Sequence, residues 1–570
     1  LPTIRNEVTT MPYIYAPNTT LAEDEQKVGQ LAKMVRNDGG MLDSVSSSGV
    51  GAIGEAIKNP GDLLPTRMVS VLEMMDKDDK PKVVAAMLDG IRRFEYEHGY
   101  TPSADIIDAA LYQAGIAADG SLPILPNGAT LDSVSSSLQS SPLSHQPNRT
   151  SVALCGSIAE AFPAGAYLPS DIGSNESRLS IVNSQAGNDF GAYKDGSILD
   201  GVGGGLRYIS PERTVIAALA ADRASATFAF KTLLAGGGAA VPLLPTRTYV
   251  KLGGFKVAGE LDANDNAAQR QIAGQADISG SKYAISGSVD FAAGTGALAF
   301  NPPLPEGTEV KVVGFIDYEA KPALTPSIKT EAKTFSLYCA EYRVLMQTTP
   351  GARSQGQAEL GTDFLSVAVN SARAQLANER YYTALEKLIE VAYLTHRVFD
   401  YDAANQLLEK SRAQRWRDFA AFFGEVDQEV ANNTGEFGLG IMWVGQKGAA
   451  NYRSMGSDDF VPSGVTARPG IYRVGRYKNQ YDVYYTPRGL KETETDIQML
   501  AVGRAAQVAR NPIVFSDAVA PTMVPLALVS DLKSGAALYG RNLTEVNPHK
   551  ASAMGCALIT VKNVDTLVQP

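Results

Sequence analysis

Hydrophobic and polar residues repeat with two different periods along the chain, and the change of period separates helical from strand-rich stretches. Apolar side chains three or four residues apart predict helices in the first 120 residues, in the stretches DEQKVGQLAKMV, KPKVVAAMLDGIRRFEYEHG and SADIIDAALYQAG. The last of these helices is expected to begin at a Ser103 cap and to stop at Gly115. Over residues 247–318 the period falls to two, with glycine, proline and asparagine at the turns, which predicts a small strand-rich unit.

The longest helical signal lies in residues 362–423, which contain neither glycine nor proline. Thr362 and Asp363 can cap and charge the first turn. One face then carries a row of apolar side chains with a wider gap at Arg380: Leu365, Ala368, Ala372, Leu376, Ala384, Leu388 and Ala392. The pattern predicts a helix of about 35–40 residues that breaks near Asp400 or Asp402, long enough to act as a strut.

A second helix is predicted after this break, because six apolar side chains recur at helical steps before the sequence NNTGEFG. These side chains are Leu408, Trp416, Phe419, Phe423, Val426 and Val430. Strands follow in GLGIMWVGQ, IYRVGRYKNQYDVYYTP and DIQMLAVGR, and their mixture with short helices predicts an α/β or α+β unit.

Residues 523–529 form an apolar run that indicates a strand, although Pro521 and Pro525 lie beside or within it. Proline cannot donate a hydrogen bond to a strand ladder. We therefore expect a junction between two domains rather than a regular central strand.

Two stretches of the sequence are identical, LDSVSSS at residues 42–48 and at residues 131–137. Their flanks do not match, so we interpret them as serine-rich linkers. The second copy opens a stretch that is typical of a flexible connection.

Composition excludes several classes of protein. An apolar content of 44% and a charged content of 20% over 570 residues are typical of a folded chain of several structural units. A net charge of -10 disfavours a general nucleic-acid binder, although it is compatible with local basic patches on the surface. The three cysteines are far apart, so neither a disulfide framework nor a zinc site is expected, and no apolar run reaches the length of a membrane span.

No motif for catalysis or cofactor binding emerges. The glycine-rich stretch at residues 200–209, DGVGGGLRYI, lacks both the P-loop pattern and a strand–GxGxxG–helix context, so we expect a flexible loop. The histidines, which are His98, His145, His396 and His549, lie away from cysteines and acidic pairs. His396 is expected to be a packed or solvated residue of the long helix. We predict no catalytic, cofactor-binding or metal-binding residues and a structural protein rather than an enzyme.

Several stretches of the C-terminal half resemble one family. The sequence RWRDFAAFFGEVDQEVANNTGEFGLGIMWVGQKGAANYRSMG, residues 415–456, resembles the apical domain of the major capsid proteins of T-even-like and jumbo tailed phages. The stretch GRYKNQYDVYYTP is similar to the hairpin that follows in that family, and MLAVGRAAQVARNPIVFSDAVAPTMVPLALVSD is similar to the exit from its apical domain. LYGRNLTEVNPHKASAMGCALITVKN resembles its closing segment. FSLYCAEYRVLMQTTPGARSQGQAELGTDFLSVAVNSARAQLANE resembles the strand and spine helix of its peripheral domain. The order of these stretches, over residues 247–570 and more loosely from residue 150, carries the resemblance.

The resemblance implies an α+β chain with the tailed-phage capsid fold, also called the Hong-Kong-ninety-seven fold. It assigns residues 1–150 to an N-terminal arm that the family does not match, 151–246 to the start of a peripheral domain, and 247–335 to a β-rich extended loop or insertion. Residues 336–402 would carry the peripheral domain with its spine helix, 403–530 the apical domain, and 531–570 the return to the peripheral domain.

The function implied by the resemblance is a capsid protein that assembles into hexamers, with pentamers as a further option, in an icosahedral shell around packaged double-stranded DNA. Trimming by a prohead protease would account for a chain that begins at Leu1. The expected partners are other copies of the chain, with vertex, portal, scaffold, protease and decoration proteins as candidates, and DNA without sequence specificity; no cofactor and no membrane are expected. The virion would be assembled in the host cytoplasm. The alternatives are a tail sheath or baseplate subunit and, in third place, an unrecognised hydrolase.

Overall fold

The internal contacts of the chain divide it into a main unit and an inserted unit. The computed structural model describes residues 23–31, 49–119, 155–261, 269–360, 364–402, 410–526 and 534–564, apart from single positions within these ranges. The main unit comprises Leu1–Ile181 and Thr334–Pro570, and the inserted unit is Val182–Lys333. Both LDSVSSS stretches and His145 lie outside the described residues.

Helices and strands are named here in chain order within the described residues. The longer helices and short helical turns are α1 (Gly49–Lys58), α2 (Pro60–Leu63), α3 (Thr66–Glu73), α4 (Lys80–His98), α5 (Ala104–Asp119), α6 (Pro350–Leu360), α7 (Phe364–Ala392), α8 (Arg412–Thr434), α9 (Gln446–Arg453) and α10 (Lys550–Ala553). The strands of the main unit, including two that cross into the inserted unit, are β1 (Gly165–Pro169), β2 (Glu176–Ala186), β12 (Ile328–Tyr338), β13 (Ala340–Thr348), β14 (His396–Asp400), β15 (Leu439–Val444), β16 (Phe460–Pro462), β17 (Tyr472–Tyr477), β18 (Tyr481–Tyr485), β19 (Ile497–Gly503), β20 (Ile513–Leu526), β21 (Ser534–Val546) and β22 (Cys556–Lys562). Those of the inserted unit are β3 (Glu212–Ile216), β4 (Ala218–Leu219), β5 (Ser225–Ala229), β6 (Tyr249–Leu252), β7 (Phe255–Glu260), β8 (Gln269–Ile278), β9 (Ser281–Asp290), β10 (Thr295–Asn301) and β11 (Val310–Phe315).

A mixed seven-stranded sheet, ordered β14-β22-β19-β15-β18-β17-β16, forms the centre of the main unit. Successive side chains of β15 point to opposite faces, so Ile441 and Trp443 enter one apolar cluster while Met442 and Val444 enter another. The first cluster includes side chains of α4 and α7, and the second includes those of α8 and α9. Helices therefore cover both faces, which explains why these strands are continuous apolar runs instead of alternating ones.

Two strands of this sheet come from segments that the resemblance assigns to the peripheral domain. β22 pairs antiparallel with β19 in the middle of the sheet, and β14 pairs parallel with β22 at its edge. The seven-stranded sheet is therefore built from residues on both sides of the segment 403–530.

The helices of the first 119 residues are part of the main core. Side chains of α3, α4 and α5, among them Met68, Phe94 and Leu111, share an apolar cluster with Trp443 and Tyr484 of the sheet. The described part of the predicted arm thus contributes a packed layer. Its last helix passes the predicted end at Gly115 and continues to Asp119.

The glycine-free and proline-free stretch is shorter as a helix than predicted. α7 has 29 residues and ends at Ala392, after which Tyr393–Thr395 form a 3-10 turn and the chain enters β14. The predicted break near Asp400 or Asp402 is therefore wrong, as is the placement of His396 on the helix. α8 agrees with its prediction at the C-terminal end, where Gly435 caps it in the left-handed conformation at φ 73°. Leu408 lies outside the described residues.

A second sheet of the main unit, ordered β1-β20-β21-β13, contains the two prolines. β1 pairs with β20 only as far as Asp517, while β21 follows β20 to Leu526. The β20–β21 register shifts between Val519 and Thr522, so Pro521 lies in an irregular stretch. Pro525 is aligned with Ala536 of β21. Residues 527–533, the rest of the predicted junction, lie outside the described residues.

The inserted unit is a nine-stranded antiparallel sheet, ordered β3-β11-β6-β7-β8-β9-β10-β5-β4, around its own apolar cluster. Alternate side chains of β5 and β10, such as Phe228 and Leu298, point into that cluster. Residues 182–246, which the sequence analysis places in the peripheral domain, belong to this unit because β3, β4 and β5 pair within its sheet.

Candidate assembly surfaces

The described histidine, cysteine and acidic side chains do not come together in a metal-binding group. Within the described residues no three histidine, cysteine or acidic side chains lie close enough to hold a metal ion. His98 is buried, His396 starts an edge strand, and His549 caps α10. No helix in the described part of the chain is long and apolar enough to cross a membrane.

The glycine-rich stretch at residues 200–209 is a 3-10 turn, Gly201–Gly203, followed by a loop, and no helix begins after it. An open groove of about 630 Å³ lies elsewhere in the inserted unit, lined by strands β3, β4, β5, β9 and β10. Its titratable side chain, Asp290, accepts hydrogen bonds from the Ala292 and Ala293 amides at 3.0 Å. The groove therefore lacks the paired groups that acid–base catalysis requires.

Helix α7 has two different halves. Its C-terminal half is buried in the main core through Ala384, Leu385, Leu388 and Ala392. In the described part of its N-terminal half, the partly buried Ala368, Val369, Ala372 and Leu376 pack against side chains of β13 and β21. Val367 on that half is 48% exposed. The described side chains of this helix are therefore more deeply buried at its C-terminal end than at its N-terminal end.

Arg380 explains the gap in the apolar row of α7. Its guanidinium lies 3.0 Å from the Asp517 carboxylate, donates to the Thr544 hydroxyl at 3.3 Å and stacks over the Phe515 ring. Burial disfavours its charge, yet Asp517 and the neighbouring hydroxyls hold the pKa of Arg380 above its usual value. A charged pair therefore ties the middle of the helix to the bulged strand β20.

A buried arginine also fixes the connection from β14 to α8. Arg415 donates to the carbonyl oxygens of Asp400 and Tyr401, each at 2.7 Å, and to the Asp418 carboxylate at 2.8 Å. Hydrogen bonds from Lys410 first and Arg415 second lower the pKa of Asp418. Arg415, the first residue of the stretch 415–456 that carries the resemblance, is thus a structural anchor at the start of α8, and Trp416 next to it packs into an apolar cluster.

Strand β13 carries exposed apolar side chains at the edge of a sheet in the main unit. It ends the four-stranded sheet, so β21 is its only partner among the described residues and its other edge is unpaired. Leu345 is 65% exposed on one face and Val344 39% exposed on the other, while Tyr338 just before the strand is 64% exposed. An unpaired edge with apolar side chains on both faces is a typical surface for association.

Sequence reasoning found this strand but not its exposure. The run Val344-Leu345-Met346 places apolar side chains on both faces of a short strand, which also describes a fully buried strand. Only Met346, packed against Ala536 and Leu538, is buried. The absence of a covering element, a tertiary property, makes the difference.

The seven-stranded sheet also has exposed apolar side chains at both edges. Val398 of β14 is 45% exposed, next to Leu394 at 67%, and Val461 of β16 is 46% exposed. The two edges and β13 give the main unit three separate apolar surfaces suited to contacts with other protein surfaces.

No protein-family model matches the sequence, and no curated protein matches it. Among solved structures, the icosahedrally averaged capsid of the jumbo bacteriophage PhiKZ is 12% identical and covers 70% of this chain and 92% of its own, with a TM-score of 0.37. A structure from Microbacterium phage Oxtober96 is 13% identical and covers 42% and 77%, with a TM-score of 0.29. The holo-SrpI encapsulin complex of Synechococcus elongatus PCC 7942 is 8% identical and covers 42% of this chain and 79% of its own, with a TM-score of 0.27. Phage capsid structures are thus among those similar to this chain, and the resemblance found in the sequence is to the same class of protein.

Proposed function

We propose that this chain is the major shell subunit of a tailed-phage capsid with the Hong-Kong-ninety-seven fold. Copies of it would form hexamers, with pentamers at the vertices as a further option, in an icosahedral shell around double-stranded DNA. The chain would act without an enzymatic step of its own, after trimming by a prohead protease in the host cytoplasm.

The observation that carries the proposal is the open edge of β13, where Val344 and Leu345 are exposed next to the N-terminal half of α7. Apolar side chains on an unpaired strand favour burial against another protein surface. Every copy of a structural subunit carries the same exposed edge. We propose that a second copy of this chain binds to the edge of β13.

The geometry of a closed shell agrees with several modest surfaces on one chain. Each contact alone would be weak, but contacts at β13 and at the two edges of the seven-stranded sheet would act together as multivalent binding. The net charge of -10 supports a container, because a strongly basic lining would hold the packaged DNA.

In this proposal, α7 is the spine helix of the peripheral domain, and the seven-stranded sheet with α8 and α9 is the core of the apical domain. The inserted unit is an enlargement of the extended loop between β2 and β12. The helices α1 to α5 are an addition to the fold that thickens the main unit.

The test is assembly of the purified chain, with scaffold and protease supplied, followed by electron microscopy. We expect polyhedral shells from the unaltered chain. Leu345→Lys should leave the subunit folded but abolish shells, because it places a charge where an apolar side chain becomes buried. Gln347→Lys is the matched control, since it adds the same charge two residues along the strand but replaces a polar side chain, so no apolar contact is lost and shells should still form.

Tubes would support the sheath alternative, and subunits that stay monomeric under these conditions would contradict the proposal. Shells from Leu345→Lys that equal those of the unaltered chain would remove β13 from the interface. Circular dichroism of both variants separates loss of assembly from loss of folding.

A further inference from the structure

Arg213 is a buried arginine in the inserted unit that no carboxylate neutralises. It lies on β3, opposite Gly314 of β11, and only 1% of it is exposed. The adjacent Glu212 carboxylate binds a different arginine, Arg207, at 3.2 Å. The positive charge of Arg213 therefore enters the interior of the unit without an ionic partner among the described residues.

The hydrogen bonds of Arg213 use one of its three nitrogen atoms. Nη1 donates to the carbonyl oxygens of Ser210 at 2.9 Å and Glu212 at 3.1 Å. The guanidinium carbon lies 4.3 Å from the centre of the Phe190 ring, a cation–π contact. Nε and Nη2 are both buried and have no acceptor within the described residues. Two strong donors thus remain available on one side chain.

A third donor without a partner belongs to the same aromatic cluster. The Tyr318 hydroxyl is buried and has no hydrogen-bond partner in the described part of the chain. Its ring lies 6.1 Å from that of Phe190, over which Arg213 stacks. Burial lowers the pKa of Arg213 and raises that of Tyr318, and each group partly offsets the shift of the other. The Arg213 guanidinium and the Tyr318 ring are thus neighbours of the same ring, that of Phe190.

Two other arginines of the inserted unit, Arg223 and Arg207, differ from this one. Arg223 donates from Nε to the Leu304 carbonyl at 2.9 Å and from Nη2 to those of Pro305 at 2.6 Å and Thr308 at 3.3 Å. Arg207 donates a hydrogen bond to the Glu212 carboxylate at 3.2 Å. A buried charge without such partners is costly, and buried donors are nearly always paired in folded proteins.

We propose that the Arg213 guanidinium and the Tyr318 hydroxyl bind a small monovalent anion, a halide or a small carboxylate, inside the inserted unit. Charge-assisted hydrogen bonds from Nε and Nη2 would hold the anion, and the phenol would add a third donor. The site is independent of shell assembly, so its failure would leave the proposed function untouched.

The experiment measures thermal unfolding of the full chain by calorimetry at constant ionic strength. Sodium chloride or sodium formate replaces sodium gluconate, whose anion is too large for a buried site. Because the anion binds only the folded state, the unfolding midpoint of the inserted unit should rise by about 3 °C for each tenfold increase in chloride or formate. Chloride tests whether the site binds a halide, and formate tests whether it binds a small carboxylate.

Three variants make the test specific. Arg213→Met keeps the approximate length of the side chain but removes the donors and the charge. The unfolding midpoint of this variant should therefore be the same in chloride or formate as in gluconate. Tyr318→Phe removes one donor with little change of shape, so several-fold more anion should be needed for the same shift. Arg223→Met is the matched control and should respond like the unaltered chain, whatever its absolute midpoint.

Equal responses of the unaltered chain and Arg213→Met to all three salts would overturn the proposal and leave water as the partner of these donors. A loss of response in Arg223→Met as large as that in Arg213→Met would also overturn it. If Arg213→Met fails to fold, Tyr318→Phe decides the question, because an unchanged anion dependence in that variant contradicts a shared site.

Discussion

His98 at the end of α4 shows how one residue can set the acid sensitivity of the main unit. Its imidazole is buried, and Nδ1 lies 2.8 Å from the Tyr484 hydroxyl on the seven-stranded sheet. Burial first, and then the charges of Arg473 and Arg468, lower the pKa of His98 from 6.5 to about 3. The folded state therefore excludes a proton that the unfolded chain binds readily.

Because the folded pKa lies below the unfolded one, this stability is fully present above pH 6.5 and is lost as the pH falls from 6.5 toward 3. The loss should approach about 1.4 kcal/mol for each pH unit in this window. We expect His98→Gln to flatten the pH dependence of the free energy of unfolding by that amount, measured by denaturant unfolding from pH 7 to pH 4.

Tyr484→Phe is the control for this prediction. It removes the hydrogen bond but leaves His98 buried, so most of the pH dependence should remain. A His98→Gln variant whose stability falls with pH as steeply as that of the unaltered chain would show that His98 is not the group that titrates.

At the scale of elements, the ion pair between Arg380 and Asp517 joins α7 to β20. Only 19% and 16% of the two side chains are exposed. We expect Arg380→Met to lower the free energy of unfolding by about 2–4 kcal/mol, because it leaves Asp517 partly buried without its cation. Denaturant unfolding of the unassembled chain measures this loss.

Lys387→Met on the same helix is the matched control. Lys387 binds Glu545 at 2.6 Å, but 30% and 44% of these side chains are exposed, so the loss should be at most about 1 kcal/mol. Equal losses in the two variants would mean that the Arg380 pair contributes no more than a surface pair.

The ends of α7 show why its existence could be predicted and its length could not. The lack of glycine and proline and the apolar row are local signals, and they predict the helix correctly. The residues after Ala392, which are equally compatible with a helix by composition, form β14 because Val398 and its neighbours pair with β22. That pairing joins segments far apart in the sequence, so no local pattern reveals it.

Strand β20 gives a second case, in which the local signal was correct and its cause was not local. The prolines predict an irregular strand, and the register does shift beside Pro521. The bulge is held by Gln113 of α5, which accepts from the Ala520 amide at 3.0 Å and donates to the Asp517 carbonyl. A helix from the first 119 residues therefore supports a strand near the C-terminus. Sequence reasoning could not assign that role to the N-terminal region.

On the scale of the whole molecule, the boundary of the inserted unit shows the same limit. Strong alternation begins at residue 247, but β3 and β5 are short and surrounded by glycine-rich loops, so their signal is weak. Their assignment to the unit follows from pairing with β11 and β10. The candidate assembly surfaces were equally hidden, since exposure of Leu345 depends on which elements cover it.

The two units should unfold separately. Each has its own apolar clusters, and both tryptophans, Trp416 and Trp443, lie in the main unit. We expect two calorimetric transitions for the unassembled chain, of which tryptophan fluorescence reports only one. Phe230→Ala, in the core of the inserted unit, should lower one calorimetric midpoint by several degrees and leave the fluorescence midpoint unchanged, because a cavity destabilises only the cooperative unit that contains it.

Phe419→Ala provides the reciprocal control, since Phe419 is fully buried in the main unit beside Trp416. It should lower the fluorescence midpoint and the calorimetric transition that coincides with it, and leave the other transition in place. A single transition that both variants shift equally would show that the two units unfold as one cooperative body. In that case the inserted unit would add its stability to the main unit instead of carrying its own.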